Sequence, residues 1–293
     1  MSDKPKIHFI LPAGGVRGAF QAGFIYRLFN EYRDTFIIQR IDGSSVGALN
    51  GFAIINDNIE KLKDIWFNIT KIQDLFTSWS DSYIFSEYMS YYYGFYKGGL
   101  YSNSKLRNMI ENYKTNTWNE SSDEYKDKYS CAVVNVGTAK SKFIKGSDPN
   151  IIDYITASAS PWVVSNPVTI DNNTYADGGL LETYPINFID KCDADITLIV
   201  GYDQEHFKFI NRENDNIFTY LANLIDISRF NSVNTQKIKE IIKREDVIAL
   251  ANPMTLLFTD FSKEAITDGF KKGEEFADNF YKTYIEKNVE EDI

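Results

Sequence analysis

The chain has 293 residues, with 31 Lys and Arg against 41 Asp and Glu, a formal net charge of −10, and 43% apolar residues. At roughly 150 residues per domain this is room for one or two domains around a sizeable core. The acidic balance excludes a nucleic-acid binder, which needs a basic stripe against phosphates, and simple electrostatic adsorption to an anionic membrane; apolar insertion into a membrane surface stays open.

Lys4–Leu11 reads as a buried first strand, broken by the glycine-rich stretch Gly14–Gly18. A helix follows, with Phe20, Phe24, Ile25 and Leu28 on one face. Phe36–Ile41 reads as a second strand ending at Asp42-Gly43, and Val46–Ile55 as a helix. Asp57 with Glu60 predicts a capping box for the next helix, which carries Leu62, Ile65, Trp66 and Ile69 on one stripe. Residues 76–101 are dense in aromatics and interrupted by Gly94, Gly98 and Gly99. That composition fits an aromatic-rich helical cap, or a glycine-hinged lid at a lipid interface. Asn103–Tyr113 reads as a helix, Tyr129–Gly137 as a strong strand with a return at Lys142–Lys145, and Ile151–Ala159 as a short helix. Pro161–Ile170 reads as loop and short strand, Ala194–Gly201 as a central strand, and Asn214–Lys243 as mostly helical. Val247–Ala251 closes the strands and Phe261–Lys287 is a terminal helix.

Strands alternating with helices from end to end predict an α/β fold with a mostly parallel central sheet and helices on both faces. No domain boundary is visible. Ligands of such sheets sit beyond the carboxyl ends of the strands, so chemistry is sought at strand-to-helix junctions. Cys131 and Cys192 match neither a disulfide framework nor a zinc pattern and read as two reduced thiols. The apolar run Ile7–Leu11 is too short for a signal-peptide core, and no run approaches the ~18 residues of a membrane span. The expectation is a cytoplasmic protein, in transient contact with membranes at most.

The sharpest local signal is Gly43-Ser44-Ser45-Val46-Gly47, a G-x-S-x-G between an apolar strand and an apolar helix. A nucleophile on a strand–turn–helix elbow sits in a strained backbone, and side chains two residues either side would collide. Glycine therefore stands at Gly43 and Gly47, Ser45 is the candidate nucleophile, and Ser44 fits less well. Pro12-Ala13-Gly14-Gly15-Val16-Arg17-Gly18 follows the first strand and opens a helix. Its exposed amides suit an oxyanion loop. A plain turn and a nucleotide-phosphate loop are the alternatives, though it lacks the Walker spacing and the first glycine of G-x-G-x-x-G. Arg17 stays protonated and is no general base.

A serine nucleophile needs a proton acceptor. His8 lies inside the first strand and reads as a core or solvent-facing residue. His206 lies beyond a central strand, in an order that suits a Ser…Asp…His triad. Asp177, in Asp177-Gly178-Gly179, is the third candidate; its ordinary reading is an Asp-Gly turn.

Taken together, Ala13–Gly18 (AGGVRG), Gly43–Gly47 (GSSVG) and Asp177–Gly179 (DGG) resemble the patatin-like phospholipase family, whose pattern is G-G-G-x-R/K-G, G-x-S-x-G and D-G-G or D-G-A in that order. Ala157-Ser158-Ala159-Ser160-Pro161 is similar to the family's small-residue helix end before a proline loop. Asp260-Phe261…Ile266…Gly269 is similar to the closing helix of small bacterial members. The resemblance spans nearly the whole chain. It implies a three-layer α/β/α fold in one domain over 1–293, with a motif-bearing core at about 5–202 and a C-terminal helical completion at about 203–293. It also implies a Ser45–Asp177 dyad without histidine, an oxyanion hole at Gly14, Gly15, Val16, Arg17 and Gly18, and no metal or cofactor. The implied activity is hydrolysis of lipid acyl esters, phospholipase A or lysophospholipase in type. The substrate would be a membrane or micellar lipid, and no nucleic acid is a partner. Head group, acyl position, oligomeric state and any unidentified activator are left open. Ala13 departs from the family's first glycine. A histidine-dependent esterase or acyltransferase using His206 and a non-catalytic lipid-binding relative are the competing expectations.

Overall fold

The computed structural model describes residues 4–79, 96–202, 232–254 and 259–286, together with positions 92, 94 and 227. In chain order the strands are β1 (Lys6–Leu11), β2 (Ile37–Ser44), β3 (Thr77–Ser78), β4 (Gly99–Ser102), β5 (Tyr129–Asn135) and β6 (Lys140–Lys145). They continue as β7 (Val163–Ser165), β8 (Val168–Ile170), β9 (Asn173–Asp177), β10 (Ile196–Tyr202) and β11 (Val247–Ala251). The longer helices are α1 (Gly18–Glu31), α2 (Val46–Ile55), α3 (Ile59–Asn68), α4 (Ser104–Glu111), α5 (Ile151–Ser158), α6 (Val233–Ile241) and α7 (Lys263–Phe280).

Parallel pairing runs β11-β10-β1-β2-β5, and β6, β9 and β8 extend the sheet antiparallel beyond β5. This is the α/β fold with a mostly parallel sheet that the alternation predicts. Strands β3, β4 and β7 form a separate small sheet. Strand residues alternate between faces, and both faces of the main sheet are covered. Phe9 and Leu11 of β1 join Phe20 and Phe24 of α1 in the larger core cluster. Ile10, pointing the other way, packs with Ile199, Tyr184, Ile186 and Ile238 of α6.

The pairing of β5 positions the site. Strand β6 occupies one edge of β5 along its length, from Ser130↔Lys145 to Asn135↔Lys140. The other edge is shared. Its first half takes β2, up to Ser44↔Ala132, and its second half takes β9, down to Val133↔Asp177. The carboxyl ends of β2 and β9 therefore meet head to head along one strand. A Cβ on Gly178 would stand 2.2 Å from the Ala132 carbonyl oxygen and 2.9 Å from Ser44 Oγ, so the junction is closed to any larger residue.

Several local expectations are corrected. The second strand runs to Ser44 rather than Ile41, because Gly43 and Ser44 pair with Cys131 and Ala132. The Asp57–Glu60 capping box does not form. Helix α3 opens after Asn58 with no side-chain cap, and Asp57 is held left-handed at φ 53° by the turn that ends α2. The 161–177 segment holds three short strands, where one was expected before Ile170. Most of the aromatic stretch 76–101, the first part of the 214–243 helix and His206 lie outside the described residues. Among the described residues no helix is long and apolar enough to cross a membrane.

Candidate active site

Strand β2 ends at Ser44 and α2 begins at Val46, so Ser45 alone makes the turn. Its backbone sits at φ 54°, ψ −124°, outside the regions open to ordinary L-residues. Such a conformation costs about 1–3 kcal/mol and persists only where its surroundings enforce it. Here the close approach of α2 to β1 enforces it. A Cβ on Gly47 would lie 2.0 Å from the Leu11 carbonyl oxygen, and one on Gly43 would lie 2.5 Å from the Gly47 carbonyl oxygen. The Ser45 amide donates to Ser158 Oγ at 3.0 Å, from the last residue of α5.

The shared edge of β5 brings Asp177 to Ser45. Ser45 Oγ donates to Asp177 Oδ2 at 2.8 Å, across 132 positions of sequence. Both residues are 7% exposed. The second carboxylate oxygen is occupied: Gly179 N donates to Asp177 Oδ1 at 2.7 Å, capping the turn Gly178–Leu180. That bond fixes the plane of the carboxylate, with Oδ2 turned to the serine.

The glycine-rich loop lies beside this pair at the carboxyl end of β1. Gly15 adopts φ 57°, which a side chain would strain, and Gly15–Arg17 form one 3-10 turn leading into α1. Among the described residues, the Gly14 and Gly15 amides donate to no backbone carbonyl. The Ala13 amide is committed to the Thr183 carbonyl at 2.9 Å. Ala13 is not left-handed. The departure from glycine therefore falls where neither a positive φ nor an open N–H is required. Gln21 Nε2 donates to the Pro12 carbonyl at 2.8 Å, Asn50 Nδ2 donates to Gln21 Oε1 at 3.1 Å, and Trp66 Nε1 donates to Asn50 Oδ1 at 3.0 Å. This buried chain ties the loop to α2 and α3. Arg17 is buried, with Nε donating to the Gly14 carbonyl at 3.3 Å, a bond that braces the loop.

Behind Ser45 an apolar cavity of about 860 Å³, its open mouth included, runs between α2, α3 and α4. Leu49 and Phe52 of α2, Leu62, Ile65 and Trp66 of α3 and Met109 of α4 form much of its wall. From Ser45 to Phe52 the wall follows α2 for about 10 Å. The polar tips along it are turned away and bonded: Trp66 to Asn50, and the Tyr113 hydroxyl to the Asn58 carbonyl at 2.8 Å. The cavity's side-chain wall is almost wholly hydrocarbon, so an apolar occupant is the one it suits.

The other sequence candidates lie apart from the pair. His8 is fully buried on β1, with its Nε2 2.7 Å from Asp42 Oδ2. Asp42 also accepts a two-pronged contact from Arg40 and the Ser130 hydroxyl. His8 is thus a core histidine in a closed polar cluster, as its strand position implies. Ser44 is fully buried and faces Gly178. Both cysteines are free. Burial pushes the Cys192 thiol up to about 11 and the fully buried Cys131 higher still, so neither is a thiolate at neutral pH. Sequence reasoning missed Ser158 as the partner of the nucleophile's amide, although the run Ala157–Pro161 was visible as a motif. It also missed the cavity, whose α3 wall is the stripe Leu62, Ile65, Trp66 and Ile69.

A model of the patatin-like phospholipase family matches residues 9–189. An uncharacterized protein, R571, of Acanthamoeba polyphaga mimivirus is 28% identical over 199 residues, covering 66% of this chain and 64% of that protein. This chain thus spans less than two thirds of that relative's length. Among solved structures, the crystal structure of VipD from Legionella pneumophila is similar at 11% identity and a TM-score of 0.47, over 94% of this chain and 67% of that one.

Proposed function

This chain belongs to the patatin-like phospholipase family, and from that premise we propose that it is a lipid acyl hydrolase working through a Ser45 acyl-enzyme, with Asp177 as general base. The observation that carries the reading is the 2.8 Å hydrogen bond from Ser45 Oγ to Asp177 Oδ2 at a strained elbow. Ser45 Oγ attacks the carbonyl carbon of the acyl ester while its proton passes to Asp177 Oδ2. The negative charge developing on the carbonyl oxygen is met by the Gly14 and Gly15 amides, joined by the Val46 amide at the start of α2. Collapse of the tetrahedral intermediate breaks the ester C–O bond, and the departing alcohol takes the proton from Asp177. Water then attacks the acyl-enzyme, gives its proton to the same carboxylate, and the fatty acid leaves with Ser45 restored. The acyl chain lies in the apolar cavity behind Ser45.

Intact-mass analysis after exposure to a fluorophosphonate tests this. The wild type is expected to gain one adduct and Ser45→Ala none. A folded wild type that gains no adduct overturns the reading. Ser158→Ala removes the acceptor of the Ser45 amide and leaves a buried N–H unpaired, at a cost of about 1–3 kcal/mol. The adduct should then form roughly ten- to a hundredfold more slowly, because a serine displaced by even ~1 Å loses that much. Adduct rate and thermal melting, measured side by side, separate the two effects.

A further inference from the structure

We infer that the cavity measures the acyl chain: it takes about eight carbons from Ser45 inward, and Phe52 and Tyr113 form the floor that sets this limit. The inference deepens the hydrolase reading and rests on it, since it counts the chain from Ser45.

The cavity is closed at the end away from Ser45. Residues of α2 that line it recur at Ser45, Leu49 and Phe52, one helical stripe. The next position of that stripe, Asn56, is fully buried but does not line the cavity. It is spent on a clamp instead. The Thr115 hydroxyl donates to the Asn56 carbonyl at 2.8 Å, and the Thr115 amide donates to Asn56 Oδ1 at 3.3 Å. Asn58 Nδ2 donates to the Tyr113 carbonyl at 3.2 Å, and the Tyr113 hydroxyl donates back to the Asn58 carbonyl at 2.8 Å. These bonds seal the turn between α2 and α3 against the segment that follows α4. Phe52 in turn is backed by rings, Trp118 at 5.0 Å and Tyr129 at 5.9 Å between centroids.

The facing wall has the same depth. So short a turn sends α3 back antiparallel to α2, and the Trp66–Asn50 bond fixes their register. Leu62 then lies level with the floor and Ile69 level with the elbow, and both line the cavity. Along α3 the distance between them is again about 10 Å. An extended chain advances about 1.3 Å per carbon, the projection of a ~1.5 Å C–C bond, so about eight carbons fill that depth. A longer chain must bend back toward the mouth or leave its end in water.

Calorimetric titration with straight-chain methyl ketones tests the limit. The Ser45→Ala protein is used, so that the chain is read by binding and without hydrolysis. Affinity should rise about fourfold per added carbon, as for each CH₂ removed from water, and stop rising at about eight carbons. Phe52→Ala, added to Ser45→Ala, should move the break about three carbons further. Leu49→Phe, nearer Ser45 on the same stripe, should pull it back to about five. Leu49→Phe fills open space rather than emptying packed core, so it carries the test should Phe52→Ala fail to fold. No binding at any length, a rise that continues past about twelve carbons, or a break unmoved in Leu49→Phe or in folded Phe52→Ala overturns the inference. Failure of the hydrolase reading looks different: the wild type gains no fluorophosphonate adduct, while the break and its dependence on Leu49 and Phe52 persist. Where both readings hold, kcat/KM for esters of increasing chain length breaks at the same carbon number.

Discussion

Asp177→Asn is expected to lower turnover of a soluble acyl ester by about two to four orders of magnitude while the fold survives, since a positioned general base contributes typically 10²–10⁴-fold. The geometry shows why the fold should tolerate it. Asparagine is nearly isosteric, and its amide oxygen still accepts from the Gly179 amide, the bond that now holds Asp177 Oδ1. The loss falls on the other side of the group. The amide nitrogen faces Ser45 Oγ, so the hydroxyl accepts a hydrogen bond where it used to donate one. Its proton then points away from the position that Asp177 Oδ2 now holds. A buried carboxylate is also costly to maintain, so the melting temperature should hold or rise. Steady-state kinetics with a short-chain ester, beside circular dichroism, checks both halves. Retention of more than about a tenth of wild-type turnover would show that another group takes the proton, and His206 would be the first residue to replace.

The sequence signals differ in reach. The elbow at Ser45 and the loop at Gly14–Gly15 were legible because every determinant is local: a strand, a few glycines and a helix within ten residues. Asp177 was not legible in that way. As a residue it reads as an ordinary Asp-Gly turn, and only the three-segment resemblance set it beside Ser45. What joins the two is that β2 and β9 divide one edge of β5, and pairing over such a distance leaves no periodic trace. Strand β9 itself, opening on Asn173 and ending on Asp177, has too few apolar residues to stand out. Helix α3 shows a different limit. Apolar residues at i, i+3, i+4 and i+7 are the same pattern whether the facing volume holds side chains or a ligand. The stripe at Leu62, Ile65, Trp66 and Ile69 was visible as one face of a helix, but not the cavity that it walls. The capping box at Asp57 failed because the turn closing α2 claimed that residue's backbone first.

The second large effect should come from one methyl group. Gly47→Ala is expected to destabilise the protein by about 3 kcal/mol or more, the upper end of overpacking penalties, and to lower its melting temperature by roughly 6–12 °C. The new Cβ would meet the Leu11 carbonyl oxygen at 2.0 Å, the Leu11 carbonyl carbon at 2.5 Å and the Pro12 carbonyl oxygen at 2.8 Å. All three are backbone atoms of the strand end that leads into the glycine-rich loop, so no rotamer change relieves the contact. Helix α2 must move off β1, carrying Ser45 with it, or the loop must move off the site. Either displacement breaks the alignment of Ser45 with Asp177, so the adduct rate should fall about a hundredfold or more even where the variant folds. Gly14→Ala provides the contrast in stability. Its φ of −176° is open to any residue, and its Cβ would find Arg17 Cβ at an ordinary 3.4 Å. That variant should melt within a few degrees of wild type. Equal melting of the two variants would mean that α2 and β1 are not pressed together at Gly47, and that the strained backbone of Ser45 is enforced from elsewhere.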